Sequence, residues 1–373
     1  MTKHLHIVSF DVPYPADYGG VIEVFNKIYA LYSKGIQIHL HCFEYGRGKQ
    51  EILEQFCHSV FYYKRNTGHK GFSTSLPYIV SSRANPDLEK KLAEDDYPIL
   101  LEGIQTTYLL KSPLLAERKF IIRLHNVEHD YYKNHANLTN NPFKKIIFFQ
   151  ESRLLKKYEK SIANRCLILA LTDKDTRYYR EKIGDLNVMT LSPFTSWLEP
   201  KYHEGIGTFC LYHGNLSIPE NAAIAKWLLQ KVFNKMEIPL VIAGKNPSPQ
   251  LVKLAHKKSH TCIVANPSEK EMQNLIEMAQ INIIPSTTET GIKFKLLNVL
   301  FNGRHCITND KMISGTTLGP ACHVANSVKA LQSITMQLFR KPFDNEETDL
   351  RKELLKNDFN FQRNADKLIS LIW

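Results

Sequence analysis

The chain has 373 residues, 43% hydrophobic and 23% charged, and at roughly 100–200 residues per domain this length indicates two globular domains. Its longest uncharged apolar runs, Ile146–Phe149 and Cys166–Leu171, are far shorter than the roughly 20 residues that span a bilayer, which excludes an integral membrane protein. Composition also excludes collagen-like, disordered and disulfide-scaffold classes. The seven cysteines are dispersed and form no Cys-x-x-Cys pair, so we expect reduced thiols in the cytoplasm. Residues 1–17 lack a basic leader and a cleavage site, and we expect no secretory signal.

The basic excess is concentrated in one part of the sequence. Lys and Arg number 48 against 37 Asp and Glu, a net charge of +11, and residues 101–165 alone hold 12 basic and 6 acidic side chains. Such a segment attracts polyanions, namely nucleic acid, anionic lipid or phosphorylated ligands, and the alternative is a solvated basic helix face. No basic motif interleaved with aromatic residues and no known nucleic-acid module is present, so we expect no nucleic-acid partner.

The first half of the chain alternates strands and helices. Strand His4–Phe10, a Pro- and Gly-rich loop up to Gly20, a helix with apolar residues every three or four positions, and strand Ile36–Phe43 form a βαβ unit. The same pattern predicts further elements: strands Pro98–Glu102, Lys119–Leu124, Cys166–Leu171 and Leu186–Thr190, and helices at Asn141–Arg165 and after Thr172.

After a predicted linker, Ser192–Gly207, the alternation starts again. The second half contains predicted strands at Thr208–Tyr212, Pro239–Ala243, Thr261–Val264, Ile281–Ile284 and His305–Thr308, and predicted helices at 221–233, about 268–279, 293–302 and Phe359–Trp373. The sequence therefore predicts an α/β protein with two doubly wound units. Ligands of such folds bind at the carboxyl ends of the strands, and the cleft between two such domains is the expected site.

Two groups of candidate binding residues follow strands of the first half. Gly19 and Gly20 precede a helix directly, and free N–H groups there suit an anion or a sugar hydroxyl, although the G-x-G-x-x-G dinucleotide fingerprint is absent. His125 and Asn126 can hydrogen-bond to sugar hydroxyls, and Glu128 can accept a hydrogen bond. His125 and Glu128 alone are too few ligands for a metal, and we predict no metal site.

The second half places Gly and Lys residues at strand ends. Gly214 and Asn215 follow one strand, and Gly244 and Lys245 follow the next, where Gly244 permits close approach and Lys245 adds an ammonium group.

The most specific stretch is 285–303. It carries Thr290 and Gly291 at a helix start and Lys293 and Lys295 in the first turn. Cations in the first turn of a helix interact unfavourably with the helix dipole, and a bound anion such as a diphosphate would offset this cost. The alternative is that both lysines are simply solvated.

The order of these features resembles that of GT-B nucleotide-sugar glycosyltransferases of the family 4 (group 1) type, especially bacterial members that build surface polysaccharides. The resemblance extends over nearly the whole chain. Its segments are Pro13–Gly20, Leu124–Glu128, Tyr158–Glu159 before Leu169–Asp175, His213–Leu216 with Pro219–Asn221, Ile242–Lys245 and Thr290–Asn298.

The resemblance implies two Rossmann-like α/β/α domains with an interdomain cleft. Residues 1–190 would bind the acceptor, 191–355 the nucleotide sugar, and 356–373 would cross back to the N-terminal domain. The implied reaction is transfer, with retention and without a metal or other cofactor, of a sugar from a nucleotide diphosphate sugar to a glycan or lipid-linked acceptor in surface polysaccharide biosynthesis. The leaving phosphate would accept the proton of the acceptor hydroxyl.

The family motifs also imply residue roles. His125 matches the histidine that lies against the donor sugar, and with Lys295 it forms the predicted catalytic pair. Gly19 and Gly20 match the loop near the phosphates and the acceptor. The remaining predicted residues fall into two groups. Asp17, Tyr18, Asn126 and Glu128 would bind substrate, and Gly214, Asn215, Gly244, Lys245, Glu289, Thr290, Gly291, Lys293 and Asn298 would bind the nucleotide sugar.

The sequence departs from the family pattern at three places. Thr290 and Asn298 stand where the family has two glutamates, and Glu289 is displaced by one position. No basic residue occurs in Asn215–Ala225, where an Arg and a Lys are expected. An inactive nucleotide-sugar-binding homologue or partner subunit, and a hydrolase or sugar-nucleotide epimerase on the same fold, are therefore the alternatives.

Phe143–Phe149 and Arg153–Lys160 combine cations with large apolar residues, a pattern typical of interfacial helices. We expect a cytoplasmic protein and, further, a peripheral position at the anionic inner face of the membrane. A helix with a buried apolar face and a wet basic face would give the same pattern.

Overall fold

The computed structural model describes residues 2–139, 141–197, 199–289, 291 and 294–373, without the side chain of residue 357. The chain divides into two compact units. The first contains residues 2–196, Gly291 and Phe359–Trp373, and the second contains Trp197–Glu289 and residues 294–358. None of the described helices combines the length and the apolarity required to cross a membrane.

The first unit is built on a parallel sheet of seven strands. They are β1 His4–Ser9, β2 Gln37–Glu44, β3 Ser59–Lys64, β4 Ile99–Glu102, β5 Phe120–Arg123, β6 Leu167–Ala170 and β7 Val188–Thr190. Their order is β3-β2-β1-β4-β5-β6-β7, and every pairing is parallel. The order reverses between β1 and β4, where crossovers to either side leave the carboxyl ends open to a ligand.

Helices cover both faces of this sheet. They are α1 Gly19–Ser33, α2 Tyr78–Ser81, α3 Pro86–Leu92, α4 Glu128–Leu138, α5 Pro142–Ile162, α6 Asp173–Tyr178 and, from the end of the chain, α14 Phe361–Ile372. Shorter 3-10 turns occupy Glu51–Gln55, Gly68–Gly71, Ile104–Lys111 and Pro113–Leu115, and a π-turn occupies Tyr179–Ile183.

Side chains alternate along a strand, so neighbouring residues pack into the two hydrophobic cores on opposite faces of the sheet. Val8 and Leu101 pack with Leu155 and Tyr158 of α5 on one face. Ile7, Leu100 and Ile121 pack on the other face with residues of α1 and α14, among them Val24, Ile28, Phe361, Leu368 and Ile372. Burial on both faces explains why these strands read as continuous apolar runs.

The second unit contains a parallel sheet of six strands in the order β10-β9-β8-β11-β12-β13. The strands are β8 Cys210–His213, β9 Leu240–Gly244, β10 Thr261–Ala265, β11 Ile281–Ile283, β12 His305–Thr308 and β13 His323–Val324. The helices are α7 Pro219–Trp227, α8 Pro249–Ala255, α9 Glu269–Met278, α10 Phe294–Asn302, α11 Asp310–Ile313, α12 Val328–Leu338 and α13 Asn345–Asp358. Its core joins Tyr212, Ile242 and Ile283 to α7 and α12.

The predicted α/β class with two doubly wound units is confirmed. The predicted helix 221–233 is a composite, in which α7 continues as a π-turn at Leu228–Val232 and a 3-10 turn at Phe233–Lys235. The sequence pattern did not predict edge strands β3 and β13. Most residues of both strands are only partly buried, and β13 is two residues long.

Candidate functional site

Four charged side chains form a buried network at the carboxyl ends of β4 and β5, against α1. Lys27 Nζ lies 2.6 Å from Glu23 Oε2 and 2.6 Å from Glu102 Oε1. Arg123 Nε donates to Glu23 Oε1 at 2.9 Å. All four residues are fully buried. Because two carboxylates face two cations, the network is balanced in charge, which a buried site requires.

The helical spacing in α1 and the register of β4 and β5 explain how these four residues come together. Glu23 and Lys27 are four residues apart, so they share one face of α1. Glu102 and Arg123 are register partners at the ends of β4 and β5. Burial alone would raise the pKa of Glu23, but the charges of Lys27 and Arg123 bring it below its ordinary value. The Glu23 carboxylate therefore stays ionised although water does not reach it.

His125 extends the network toward the strand-end loop. Its Nε2 lies 3.0 Å from Glu102 Oε2 and 3.7 Å from Glu23 Oε2. The Phe10 ring packs edge-on against the imidazole, with 5.4 Å between centroids. Since a carboxylate only accepts hydrogen bonds, Nε2 carries the proton toward Glu102. The carboxylate and Phe10 together fix the plane of the His125 ring.

Glu128 begins α4 and is buried, with 6% of its surface exposed. Burial and then the charge of Glu159 raise its pKa to about 7, although hydrogen bonds with Asn126 and Gln105 act in the opposite direction. Near neutral pH the Glu128 carboxyl is therefore divided between its protonated and ionised forms. The sequence suggested an acceptor group at this position, and the protonated form can also donate.

The loop before α1 is held by its own polar side chains. Tyr18 donates to Asp11 Oδ2 at 2.8 Å, and Asp17 Oδ1 accepts from Arg47 at 2.8 Å. Gly19 is the first residue of α1, and a Cβ on Gly20 would lie 2.8 Å from Phe10 Cζ. The same Phe10 ring therefore packs against both Gly20 and His125.

Gly291 belongs to the first unit and lies beside the His125 loop. Its φ is +65°, and a Cβ there would lie 2.2 Å from Asn126 Oδ1 and 2.9 Å from the His125 carbonyl oxygen. Both the backbone conformation and the space therefore require glycine. The predicted residues Thr290 and Lys293 lie outside the described part of the chain.

In the second unit, Lys295 lies close enough to the carboxyl end of β8 for its charge to act on His213. Lys295 lies in the first turn of α10, and its Nζ is 5.6 Å from the centroid of the Tyr212 ring. His213 is buried, and within the described residues its Nε2 has no hydrogen-bond partner. Burial, followed by the charge of Lys295, lowers the pKa of His213 to about 3. A neutral imidazole with an unsatisfied nitrogen thus lies near an ammonium group.

The neighbouring strand ends are closely packed. A Cβ on Gly244 would lie 1.8 Å from the Gly214 carbonyl oxygen, so the close approach predicted at Gly244 is made by the backbone of Gly214. The Asn215 side chain accepts from Ser217 N at 3.0 Å and Ser217 Oγ at 2.7 Å. Lys245 is exposed, and its carbonyl accepts from Leu216 N at 2.9 Å.

The polar loop after β11 is fixed by two neighbours. Glu220 accepts from Thr287 N at 2.8 Å and Thr287 Oγ1 at 2.7 Å. Asn309 accepts from Ser286 N at 3.0 Å. A cavity of about 330 Å³ opens beside this loop, at the ends of β11 and β12, and Trp227 forms part of its wall. This volume lies at the lower end of the range for small-molecule sites.

The last two predicted nucleotide-sugar residues have different surroundings. Glu289 is exposed at the end of this loop. Asn298 lies on α10, where its Oδ1 accepts from Asn302 Nδ2 at 2.8 Å. The Asn298 side chain is therefore engaged in an intrahelical hydrogen bond.

Several residues of these sites were not singled out from the sequence. Glu23, Lys27, Glu102 and Arg123 come from three separate elements, and the only local signal was the four-residue spacing of Glu23 and Lys27 within an apolar helix. His213 could be found only as a polar residue that ends a buried strand.

Residues 208–335 match the family described as "Glycosyl transferases group 1". An uncharacterised 44.6 kDa protein in the cps region of Klebsiella pneumoniae is 28% identical over 387 residues, which cover 96% of each chain.

Solved structures share the fold at low sequence identity. A Staphylococcus aureus TarM variant, in complex with fondaparinux, α-GlcNAc-glycerol and UDP, is 12% identical with a TM-score of 0.70 over 100% of both chains. Anabaena HepE, in complex with UDP and glucose, is 11% identical with a TM-score of 0.64 over 99% of this chain and 98% of that chain. A Rickettsia africae glycosyltransferase is 14% identical with a TM-score of 0.66 over 100% of this chain and 98% of that chain. Residues 208–335 thus resemble group 1 glycosyltransferases, and the chain has the GT-B fold that its sequence resemblance implies.

Proposed function

We propose that this protein transfers a sugar from a nucleotide diphosphate sugar to a glycan or lipid-linked acceptor during surface polysaccharide biosynthesis. The group 1 match of residues 208–335, the cps-region relative and the UDP in the TarM and HepE structures support this proposal. The observation that carries it is the position of Lys295 at the end of β8, within the matched residues, where its charge acts on His213 and the His213 Nε2 is unsatisfied.

The second unit offers the groups that a departing diphosphate needs. Breaking a glycosyl–phosphate bond places negative charge on the leaving phosphate, and cations and N–H groups that are already in position stabilise this charge. Lys295 supplies an ammonium group in the first turn of α10, where the helix dipole is also favourable for an anion. His213 remains neutral at physiological pH and can donate from Nε2.

The first unit supplies an oriented imidazole. With Nε2 committed to Glu102, His125 is held in one ring orientation for contact with a sugar hydroxyl. Glu23 and Glu102 are both ion-paired with buried cations, which makes them poor nucleophiles. A glycosyl-enzyme on either carboxylate is therefore disfavoured, and we propose that retention proceeds through a front-face reaction in which the leaving phosphate accepts the proton of the acceptor hydroxyl.

Metal independence is part of the proposal. Glu23, Glu102 and His125 are close enough together to hold a cation. However, Lys27 and Arg123 already balance both carboxylates, so a divalent ion would add excess positive charge to a buried site.

We further propose a peripheral position at an anionic membrane surface through the first half of α5. Phe143, Ile146 and Ile147 are 77%, 65% and 62% exposed. Lys144 and Lys145 are also exposed, so apolar and cationic groups share this turn of the helix. An Ile146→Ser/Ile147→Ser variant should lose flotation with anionic vesicles, whereas Lys270→Ser, on the exposed surface of the second unit, should retain it. Absence of wild-type flotation with both neutral and anionic vesicles would refute this proposal.

The transferase proposal is tested first by ligand binding. Thermal shift against UDP, GDP, ADP, dTDP and CMP sugars identifies the donor, because a ligand that binds the native state raises apparent stability. The selected donor is then incubated with acceptor glycans in the presence of EDTA, and NMR of the anomeric proton reports the stereochemistry. We expect product of retained configuration.

Other outcomes of the same assay identify the alternatives. Binding without turnover on any acceptor would indicate an inactive homologue. Conversion of the donor to an isomer would indicate an epimerase, and release of free sugar without an acceptor would indicate a hydrolase.

A further inference from the structure

Three potential metal ligands converge at the amino-terminal ends of β12 and β13. They are His305, which begins β12, His323, which begins β13, and Glu347 in the first turn of α13. His305 Nδ1 lies 3.1 Å from Glu347 Oε2, and His323 Nε2 lies 3.5 Å from the same oxygen. The ligand atoms of the three residues all lie within 4.8 Å of one another.

The hydrogen bonds of His305 determine which nitrogen is available. The side chain is fully buried, and its Nε2 lies 2.9 Å from the Lys341 carbonyl oxygen. A carbonyl only accepts, so Nε2 carries a proton. If the ring is neutral, Nδ1 then carries a lone pair, and it faces Glu347 Oε2 at 3.1 Å. Two acceptors at this distance repel each other unless a cation or a second proton lies between them.

The surroundings match the usual support of a bound metal. A metal-binding histidine generally donates its other ring N–H to a backbone carbonyl or a carboxylate, and the Lys341 carbonyl has this role for His305. Metal-binding carboxylates are generally hydrogen-bonded through their second oxygen. Glu347 Oε1 accepts from Lys341 Nζ at 3.1 Å, which leaves Oε2 for the ion.

We propose that His305, His323 and Glu347 bind a divalent transition metal ion, with zinc as the reference ion. Two imidazoles and one carboxylate are a common zinc ligand set, and water completes the tetrahedron. With metal–ligand bonds of about 2 Å, tetrahedral ligand atoms are roughly 3.3 Å apart, close to the two observed separations. The His323 side chain is 34% exposed and that of Glu347 18% exposed, so solvent can reach the site.

The expected role is structural. The ligands come from three elements and are widely separated in sequence, so the ion would cross-link α13 to the edge of the sheet. His305 and His323 lie at the amino ends of their strands. Lys295, His213 and the polar loop after β11 lie at the carboxyl ends of the strands. The inference therefore does not depend on the transferase proposal.

Isothermal titration of tag-free, metal-depleted protein with zinc tests the site. The wild type should bind zinc, and His323→Ala should lose one site or bind it at least about 10-fold more weakly. His256→Ala, an exposed histidine of the same unit, should bind like the wild type. Failure of the wild type to bind, or equal binding by His323→Ala, would overturn the proposal.

A second measurement separates metal binding from a folding defect. Cobalt should give the visible spectrum of a tetrahedral site in the wild type and in His256→Ala, but not in Glu347→Gln. Circular dichroism establishes that each variant is folded. Nitrogen NMR of the metal-depleted protein with zinc added should show His305 unprotonated at Nδ1, and a doubly protonated ring would overturn the assignment.

Discussion

His125 and Lys27 share one carboxylate: Glu102 Oε2 lies 3.0 Å from His125 Nε2, and Glu102 Oε1 lies 2.6 Å from Lys27 Nζ. The orientation of the candidate catalytic ring therefore depends on a buried ion pair that also joins α1 to β4. Catalytic geometry and stability of the first unit are coupled through Glu102, and separate substitutions can distinguish the two.

Replacement of His125 should affect turnover more than folding. In His125→Ala we expect kcat to fall about 100-fold or more, the range for loss of a group that acts in the transition state. Steady-state kinetics with the donor identified above measure the effect. His69→Ala, an exposed histidine of the same unit, is the control. If His125→Ala retained wild-type kcat with an intact fold, His125 would have no role in the reaction.

Replacement of Lys27 should affect folding. Lys27→Met leaves Glu23 and Glu102 buried with only Arg123 for compensation, and the expected loss is about 3–5 kcal/mol of unfolding free energy. Urea denaturation measures this loss. Lys34→Met removes a partly exposed pair with Asp366 and should cost less than about 1 kcal/mol. Equal losses in the two variants would contradict the importance of the buried network.

Removal of the Lys295 ammonium should weaken nucleotide binding and change the titration of His213. Lys295→Ala should bind the nucleotide diphosphate at least about 10-fold more weakly, because a charge-assisted hydrogen bond contributes about 1.5–3 kcal/mol. The pKa of His213 should rise, since the charge of Lys295 contributes to lowering it. Titration calorimetry and histidine NMR provide the two readouts, with exposed Lys270→Ala as control. If Lys295→Ala bound the nucleotide diphosphate as tightly as the wild type does, Lys295 would not be part of the binding site.

Glu128 makes stability dependent on pH. Its pKa of about 7 in the folded protein exceeds the ordinary value of 4.5, so its protonated form is the one that folding favours. Below about pH 4.5 the carboxyl is protonated in both states and has no unfavourable effect. As pH rises toward 7, the unfolded state ionises first, and the folded state loses up to roughly 3 kcal/mol of relative stability.

Glu128→Gln should remove this dependence. The difference in unfolding free energy between Glu128→Gln and wild type should increase from pH 4.5 to about pH 7 and remain constant above it. Urea denaturation at several pH values measures the curve. A difference that does not change with pH would show that Glu128 has an ordinary pKa.

The central strands could be predicted from sequence because burial on both faces leaves a continuous apolar signal, as in Ile99–Glu102 and Phe120–Arg123. Edge strand β13 has two half-buried residues and gives no such signal. Helix α13 was also missed, because its residues are mostly polar and charged.

Candidate site residues could be predicted where a polar side chain closely follows a buried strand, as His125 does after β5. The ion network was not predictable as a unit, because Glu23 and Glu102 are brought together only by the packing of α1 on the sheet. The reason for Gly244 was also different from the predicted one. The sequence predicted that Gly244 lets a ligand approach closely, whereas in the structure the neighbour of Gly244 is the carbonyl oxygen of Gly214.

Helix α14 has a consequence for biosynthesis. Phe361, Leu368 and Ile372 of α14 fill a core whose members outside this helix lie between Leu5 and Phe194, and Lys119 Nζ donates to the Ile372 carbonyl at 2.6 Å. A ribosome must therefore translate the entire second unit before the first can close its hydrophobic interior. A nascent chain that stalls before α14 is made would expose the apolar residues of α1 that α14 covers, such as Val24 and Ile28, to chaperones and proteases.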